Sequence, residues 1–293
     1  MLATDQTRRS TDAIERQTSV APVDSDRHVT YAEYGQPEGV PVVFLHGTPG
    51  SHRLGALLDS VARARGVRIL APSRPGYSRS SPLRSRSLRD APDSVLPVLD
   101  DANVRTAGVV GFSGGGPHAL ATAAGHPERV TRVDLVSTAT PPELSVETPR
   151  LQRLLAGLAT RTPALLRGLL RGQAWVAPHL DPSFVVAQYT AKGTTVSDET
   201  AELVRADFCE AFARQRSGAV TDLRNTATDW GIDYEAIVPE VRLWHGGRDT
   251  NVPVGDARRF TAALPGAELR VMEDADHLQT LLETAPDILG AHR

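Results

Sequence analysis

The 293-residue sequence predicts an α/β fold, a mostly parallel sheet with helices on both faces, interrupted by an all-helical insert. Three observations predict it. Apolar strand-like runs alternate with helix-like segments from His28 to Ser137, the strand signal vanishes from Pro141 to about Asp233, and it returns in "PEVRLWHGGRD" and "AELRVMEDADH". Parallel strands need long crossovers, usually helical, so repeated strand–helix units imply such a sheet.

The elements follow in order. "HVTYAEYG" alternates polar and apolar residues as a half-exposed strand does, whereas "VPVVFLHG" is a continuous apolar run, as buried strands are. "SHRLGALLDSVARARG" places Leu54, Leu57, Leu58 and Val61 at helical spacing, and "VRILAPSRPG" is again strand-like. A helix over Leu88 to Leu99 carries Pro92 and Pro97 and is therefore kinked or begins late. A strand over Thr106 to Phe112, a helix over 116–126 and the strand "RVTRVDLVS" complete the first half. The insert reads as helices in "RLQRLLAGLATRTPALLRGLLRG" and "SDETAELVRADFCEAFARQRSG", and a helix over Val254 to Leu264 separates the last two strands. The expected organisation is a mobile N-terminal arm over 1–27, a core over 28–140 and 234–293, and a helical insertion over 141–233.

Composition excludes several classes. A hydrophobic content of 40% and a charged content of 23% suit an ordinary globular chain, and a net charge of −3 argues against a nucleic-acid partner. Thirty-one of the 32 basic residues are scattered arginines, Lys192 being the exception, which reads as coding bias. The single cysteine, Cys209, excludes an internal disulfide and reads as a packed thiol. Arg8-Arg9 is followed by no apolar stretch, and no window reaches transmembrane length, so a cytoplasmic protein with no membrane partner is expected. Arg150 to Arg171 is basic and amphipathic, and packing of the insert is favoured over a membrane-surface helix because two glycines and a proline break it.

In open parallel sheets functional groups gather at the carboxyl ends of the strands. One such end is "VVGFSGGGPHALA", where Ser113 stands among Gly111, Gly114, Gly115 and Gly116 with a strand before it and a helix after. G-x-S-x-G in that context is the nucleophile elbow, a strained turn that exposes a serine hydroxyl. Serine needs a base, and of nine histidines His277 alone stands directly after the last strand. Asp249, at a strand end 28 residues earlier, is the acid for that base; Asp276, adjacent in sequence, does not easily reach the far ring nitrogen. The end of the strand before the insert offers Ser137 and Thr138 but no carboxylate. An oxyanion requires fixed donors: the Gly114 N–H, and one from "HGTPGS", where Pro49 has none and Thr48 is preferred over Gly47.

The motifs "HGTPGS", "RPGYSRS", "GFSGGGPHALA", "TDW" (228–230), "WHGGRDTNVP" and "DADH" span residues 46 to 277 and together resemble the α/β-hydrolase fold with a helical cap. That resemblance implies a catalytic triad of Ser113, Asp249 and His277, an oxyanion hole from Thr48 and Gly114, and acyl transfer to water without a cofactor. Relatives with aspartate at the elbow open epoxides or displace halide, and serine here sets those reactions aside. His46, Tyr77, Trp175 and Trp230 are candidates for the substrate pocket, while His46 and Arg74 are also read as supports of the loops around it, His245 as a support of the acid loop and His118 as a packed helix residue. No metal-ligand spacing or P-loop lysine is present.

The expected activity is hydrolysis of a small, largely apolar ester, lactone, thioester or amide, with a small-molecule substrate and either a monomer or a homodimer. "HGTPG" also resembles proline iminopeptidases, which implies an aminopeptidase alternative using Asp207 and Glu210 to hold an amine. Elimination, carbon–carbon cleavage or acyl transfer on the same triad is a further alternative, and a non-catalytic receptor is the last.

Overall fold

The computed structural model describes residues 18–83 and 85–292; the first 17 residues of the expected arm lie outside them. The remainder of that arm is not free chain. Thr18–Pro22 forms strand β1, antiparallel to β2 (His28–Gly35), with Ala21 buried and Val20 facing solvent. Then come β3 (Val40–Leu45), β4 (Val67–Pro72), β5 (Ala107–Phe112), β6 (Val130–Val136), β7 (Glu240–Gly246) and β8 (Glu268–Met272).

These strands make one sheet in the order β1-β2-β4-β3-β5-β6-β7-β8. β2 runs antiparallel to both its neighbours, and every pairing from β4 to β8 is parallel. Strand side chains alternate between faces, and the core divides accordingly. Val42, Phe44, Ile69, Val110 and Trp244 pack on one side, whereas Val43, Leu45, Leu70, Val109 and Leu243 pack on the other.

Helices cover both faces. Ala62 of α1 (Asp59–Arg65) and Leu278, Leu281 and Ile288 of α10 (His277–Gly290) join the first core. α2 (Pro92–Asp101), α3 (Gly116–Gly125) and α9 (Val254–Ala263) supply Val95, Val98, Leu120 and Phe260 to the second. The helix expected from residue 51 is divided, with a 3₁₀ turn over His52–Leu58 preceding α1. Gly55 lies so close to Tyr34 and Ala71 that an alanine Cβ there would stand 2.8 and 2.9 Å from their side-chain atoms. The proline-bearing helix begins late, with Pro92 in the first turn, where its missing N–H leaves no bond unmade.

Between β6 and β7 lie α4 (Arg150–Arg161), α5 (Pro163–Val176), α6 (Pro182–Val186), α7 (Asp198–Ala211) and α8 (Ser217–Thr226). Leu166, Leu170, Val204, Phe208 and Val220 extend the first core upward into these helices, so insert and sheet share one apolar interior. Leu151, Leu154, Leu165 and Leu169 face outward. No helix among the described residues is long and apolar enough to cross a membrane.

Candidate active site

Strand pairing brings the serine loop and the "HGTPGS" loop together. Leu45 of β3 is in register with Gly111 of β5, so both chains leave the sheet side by side at the point where the strand order reverses. Ser113 adopts φ +52°, a left-handed conformation that costs a non-glycine residue on the order of 1–3 kcal/mol. The glycines around it make room. An alanine Cβ at 111 would stand 2.7 Å from the Gly116 Cα, and one at 115 would overlap the Leu45 carbonyl oxygen. Ala139 N–H, just beyond β6, donates to the Ser113 carbonyl at 3.0 Å and anchors the turn.

β7 and β8 are neighbours in the same parallel ladder, and the loops after them deliver Asp249 and His277. His277 Nδ1 lies 2.7 Å from Asp249 Oδ2, with both side chains buried. The other carboxylate oxygen accepts from the N–H groups of Asn251 and Val252 at 2.8 and 2.9 Å. Burial works against the charge of Asp249, but the imidazole of His277 and the Val252 N–H outweigh it and hold the carboxyl below its ordinary range. A carboxylate on Nδ1 leaves Nε2 to exchange a proton. The His277 ring stacks at an angle on Phe112, 5.0 Å between centroids, which brings it beside the residue that precedes Ser113. Asp276 is occupied elsewhere: it caps α10 through Leu278 and Gln279 N–H and accepts from Ala191 N–H.

Thr48 and Gly114 face each other across the two loops. The Thr48 nitrogen is 3.4 Å from where a Cβ on Gly114 would stand. Gly114 lies in the first turn of a short 3₁₀ helix, where N–H groups have no acceptor within the helix.

Ser113, Gly114 and Thr48 line one cavity of about 350 Å³, walled by Leu155 and Ala156 of α4 and Leu223 of α8. His46, Tyr77, Trp175 and Trp230 are not among its lining residues. His46 is sealed beneath the loop, accepting from Arg74 N–H on Nε2. The Tyr77 hydroxyl is 2.9 Å from Asp222, Trp230 packs edge-on to Phe260, and Trp175 is 74% exposed on the outer surface of the insert. Trp175 and Trp230, the two candidates that the insert supplies, therefore sit on the surface and in the core. Asp207 and Glu210 are also elsewhere: Asp207 accepts from Ser51 and Leu54 N–H, and Glu210 accepts from the Ser78 hydroxyl. Among the described residues no group of three or more His, Cys, Asp or Glu is arranged to hold a metal ion.

One part of the site lies outside every sequence motif. Asp222 of α8 is fully buried against Arg74, Arg86 and Tyr77. Burial opposes its charge, but Arg86 and Arg74 hold the carboxyl well below the carboxylate range.

The sequence profile of the alpha/beta hydrolase fold matches residues 40–284. The chain belongs to the α/β hydrolase family. It is 29% identical over 265 residues to 2-hydroxymuconate semialdehyde hydrolase of Pseudomonas putida, covering 83% of each chain. It is also 30% identical over 243 residues to a pimeloyl-acyl-carrier-protein methyl ester esterase of Aromatoleum aromaticum, covering 80% of this chain and 90% of that one. Among solved structures, bromoperoxidase from Bacillus anthracis superposes with a TM-score of 0.70 at 18% identity, covering 94% of this chain and 97% of that one. This α/β hydrolase is thus an enzyme, with hydrolases and esterases among its relatives.

Proposed function

We propose that this enzyme is a serine hydrolase that cleaves a small, largely apolar ester, lactone, thioester or amide through an acyl-enzyme on Ser113. The observation that carries the reading is the buried 2.7 Å pair of His277 and Asp249 beside a serine at φ +52° that opens on a cavity. Ser113 Oγ attacks the carbonyl carbon as His277 Nε2 takes its proton, and the carbonyl oxygen becomes an oxyanion facing the Thr48 and Gly114 N–H groups. Collapse expels the leaving group, which receives the proton from His277. Water then adds to the acyl carbon, giving its proton to the same nitrogen, and the carboxylic acid departs as Ser113 regains its hydrogen. Asp249 holds the Nδ1–H tautomer and stabilises the imidazolium in both halves.

Cavity size and lining support the substrate class. Leu155, Ala156, Leu223 and Val252 offer an apolar wall, and a cavity of about 350 Å³ is at the small end for ligand sites. The carboxylates assigned to hold an amine in the aminopeptidase reading, Asp207 and Glu210, are absent from this lining, and the carboxylate present in it, Asp256, is paired with Arg259.

The test is intact mass after exposure to a fluorophosphonate, for wild type and Ser113→Ala, with p-nitrophenyl acetate and butyrate turnover measured alongside. A single adduct and ester turnover in wild type alone are expected. A folded wild type that gains no adduct and turns over no ester overturns the reading.

A further inference from the structure

A charged cluster sealed between the insert and the sheet carries a second inference, which rests on Thr48 as an oxyanion donor. Asp222 Oδ2 accepts from Arg74 Nε at 3.1 Å, from Arg74 Nη2 at 2.9 Å and from the Tyr77 hydroxyl at 2.9 Å. Its Oδ1 accepts from Arg86 Nη2 at 2.5 Å, and His118 Nε2 lies 3.4 Å away. A buried charge this well paired is costly to disturb, because removing one partner strands the others without solvent.

Arg74 reaches further than its carboxylate. The same guanidinium donates to the carbonyl of His46, to the carbonyl of Gly47 at 2.8 Å and to Thr48 Oγ1 at 3.1 Å. The Gly47 carbonyl and the Thr48 N–H belong to one planar peptide unit, so a donor that fixes the first fixes the direction of the second. The fork geometry matters here, since only a planar guanidinium engages a carboxylate and two carbonyls in fixed directions at once.

We propose that Asp222 is a positioning residue for the oxyanion hole: by locking the Arg74 guanidinium, this residue of the insert sets the plane of the Gly47–Thr48 peptide and aims the Thr48 N–H. Leu223 and Thr226 on the same helix line the cavity, so the substrate wall and the oxyanion donor are held as one unit. The sheet supplies the donor, and the insert aims it.

Asp222→Asn and Arg74→Lys, singly and together, test this through kcat and KM for p-nitrophenyl butyrate, the rate of fluorophosphonate labelling and inhibition by phenylboronic acid, whose tetrahedral adduct on Ser113 carries an oxyanion. Each single variant is expected to lose on the order of ten- to a hundred-fold in kcat, labelling rate and boronate affinity, with KM within about threefold. The double variant is expected to lose little more than either single one, because both act through the same peptide. Asp222→Glu, which keeps the charge but displaces it by one methylene, carries the same expectation where Asp222→Asn does not fold.

Asp207→Asn is the control, since Asp207 ties α7 to Ser51 and Leu54 without touching Arg74. It is expected to retain boronate affinity. Equal labelling and boronate affinity in wild type and folded Asp222 variants overturns the proposal, as does an equal loss in Asp207→Asn or an additive double variant. Failure of wild type itself to label overturns the reading of Ser113 instead.

Discussion

Asp249 lies in the loop after β7 and Asp276 in the loop after β8, and their hydrogen bonds distinguish them. Asp249 gives one oxygen to His277 and the other to two backbone N–H groups, whereas Asp276 spends both on Leu278, Gln279 and Ala191. In the proposed triad Asp249→Asn reverses the tautomer preference of His277, and kcat for a p-nitrophenyl ester is expected to fall by about 10⁴ while the fold persists. Asp276→Ala is expected to cost about 1 kcal/mol of stability as a lost helix cap, read by urea denaturation, with kcat reduced far less. Reach along the chain made this choice legible in the sequence, because a residue next to His277 cannot easily turn back to its far nitrogen. Asp222 was illegible: Arg74 and Arg86 stand 148 and 136 residues away, and no local pattern marks a carboxylate whose partners are that remote.

Elements divide in the same way. The buried parallel strands announce themselves as apolar runs, and the serine turn by its glycines. β1 does not, for it is five residues at an edge with one buried side chain and a terminal proline, and only pairing with β2 makes it a strand. The four pocket candidates lie off the wall of the Ser113 cavity, because a residue's type does not say which surface it meets. Glycines give a sharper contrast between elements. At Gly115 an added Cβ overlaps the Leu45 carbonyl, so Gly115→Ala must push β3 from β5; a loss of more than about 3 kcal/mol in denaturant unfolding, or insoluble protein, is expected. Gly168 sits mid-helix in α5 with nothing within 4 Å of an added Cβ. Gly168→Ala is expected to stabilise by about 0.5–1 kcal/mol through helix propensity and a less flexible unfolded chain. A destabilising Gly168→Ala or a fully stable Gly115→Ala contradicts the packing described.

Across the whole molecule, burying histidines as neutral groups ties stability to pH. His46, His52, His118 and His245 are all buried, and burial is the leading cause that lowers each one: His46 well below its ordinary value, His52 to about 3, His118 to about 4 and His245 in the same direction. In the unfolded chain each titrates near 6.5. Between about pH 6.5 and 4 the unfolded state therefore binds protons that the native state refuses, and stability present above pH 6.5 is lost as the solution is acidified. Asp207 acts oppositely. Burial raises it from 3.8 to about 7, so over nearly the same range the native state takes up a proton that the unfolded chain does not. One group against four leaves the histidines in control, and the melting temperature is expected to fall on the order of 10 °C from pH 6.5 to 4.5. Asp207→Asn removes the opposing proton, so circular dichroism melts should show a steeper fall in that variant. A flat profile in wild type, or a shallower one in Asp207→Asn, is incompatible with an interior that keeps these histidines neutral and this carboxyl protonated.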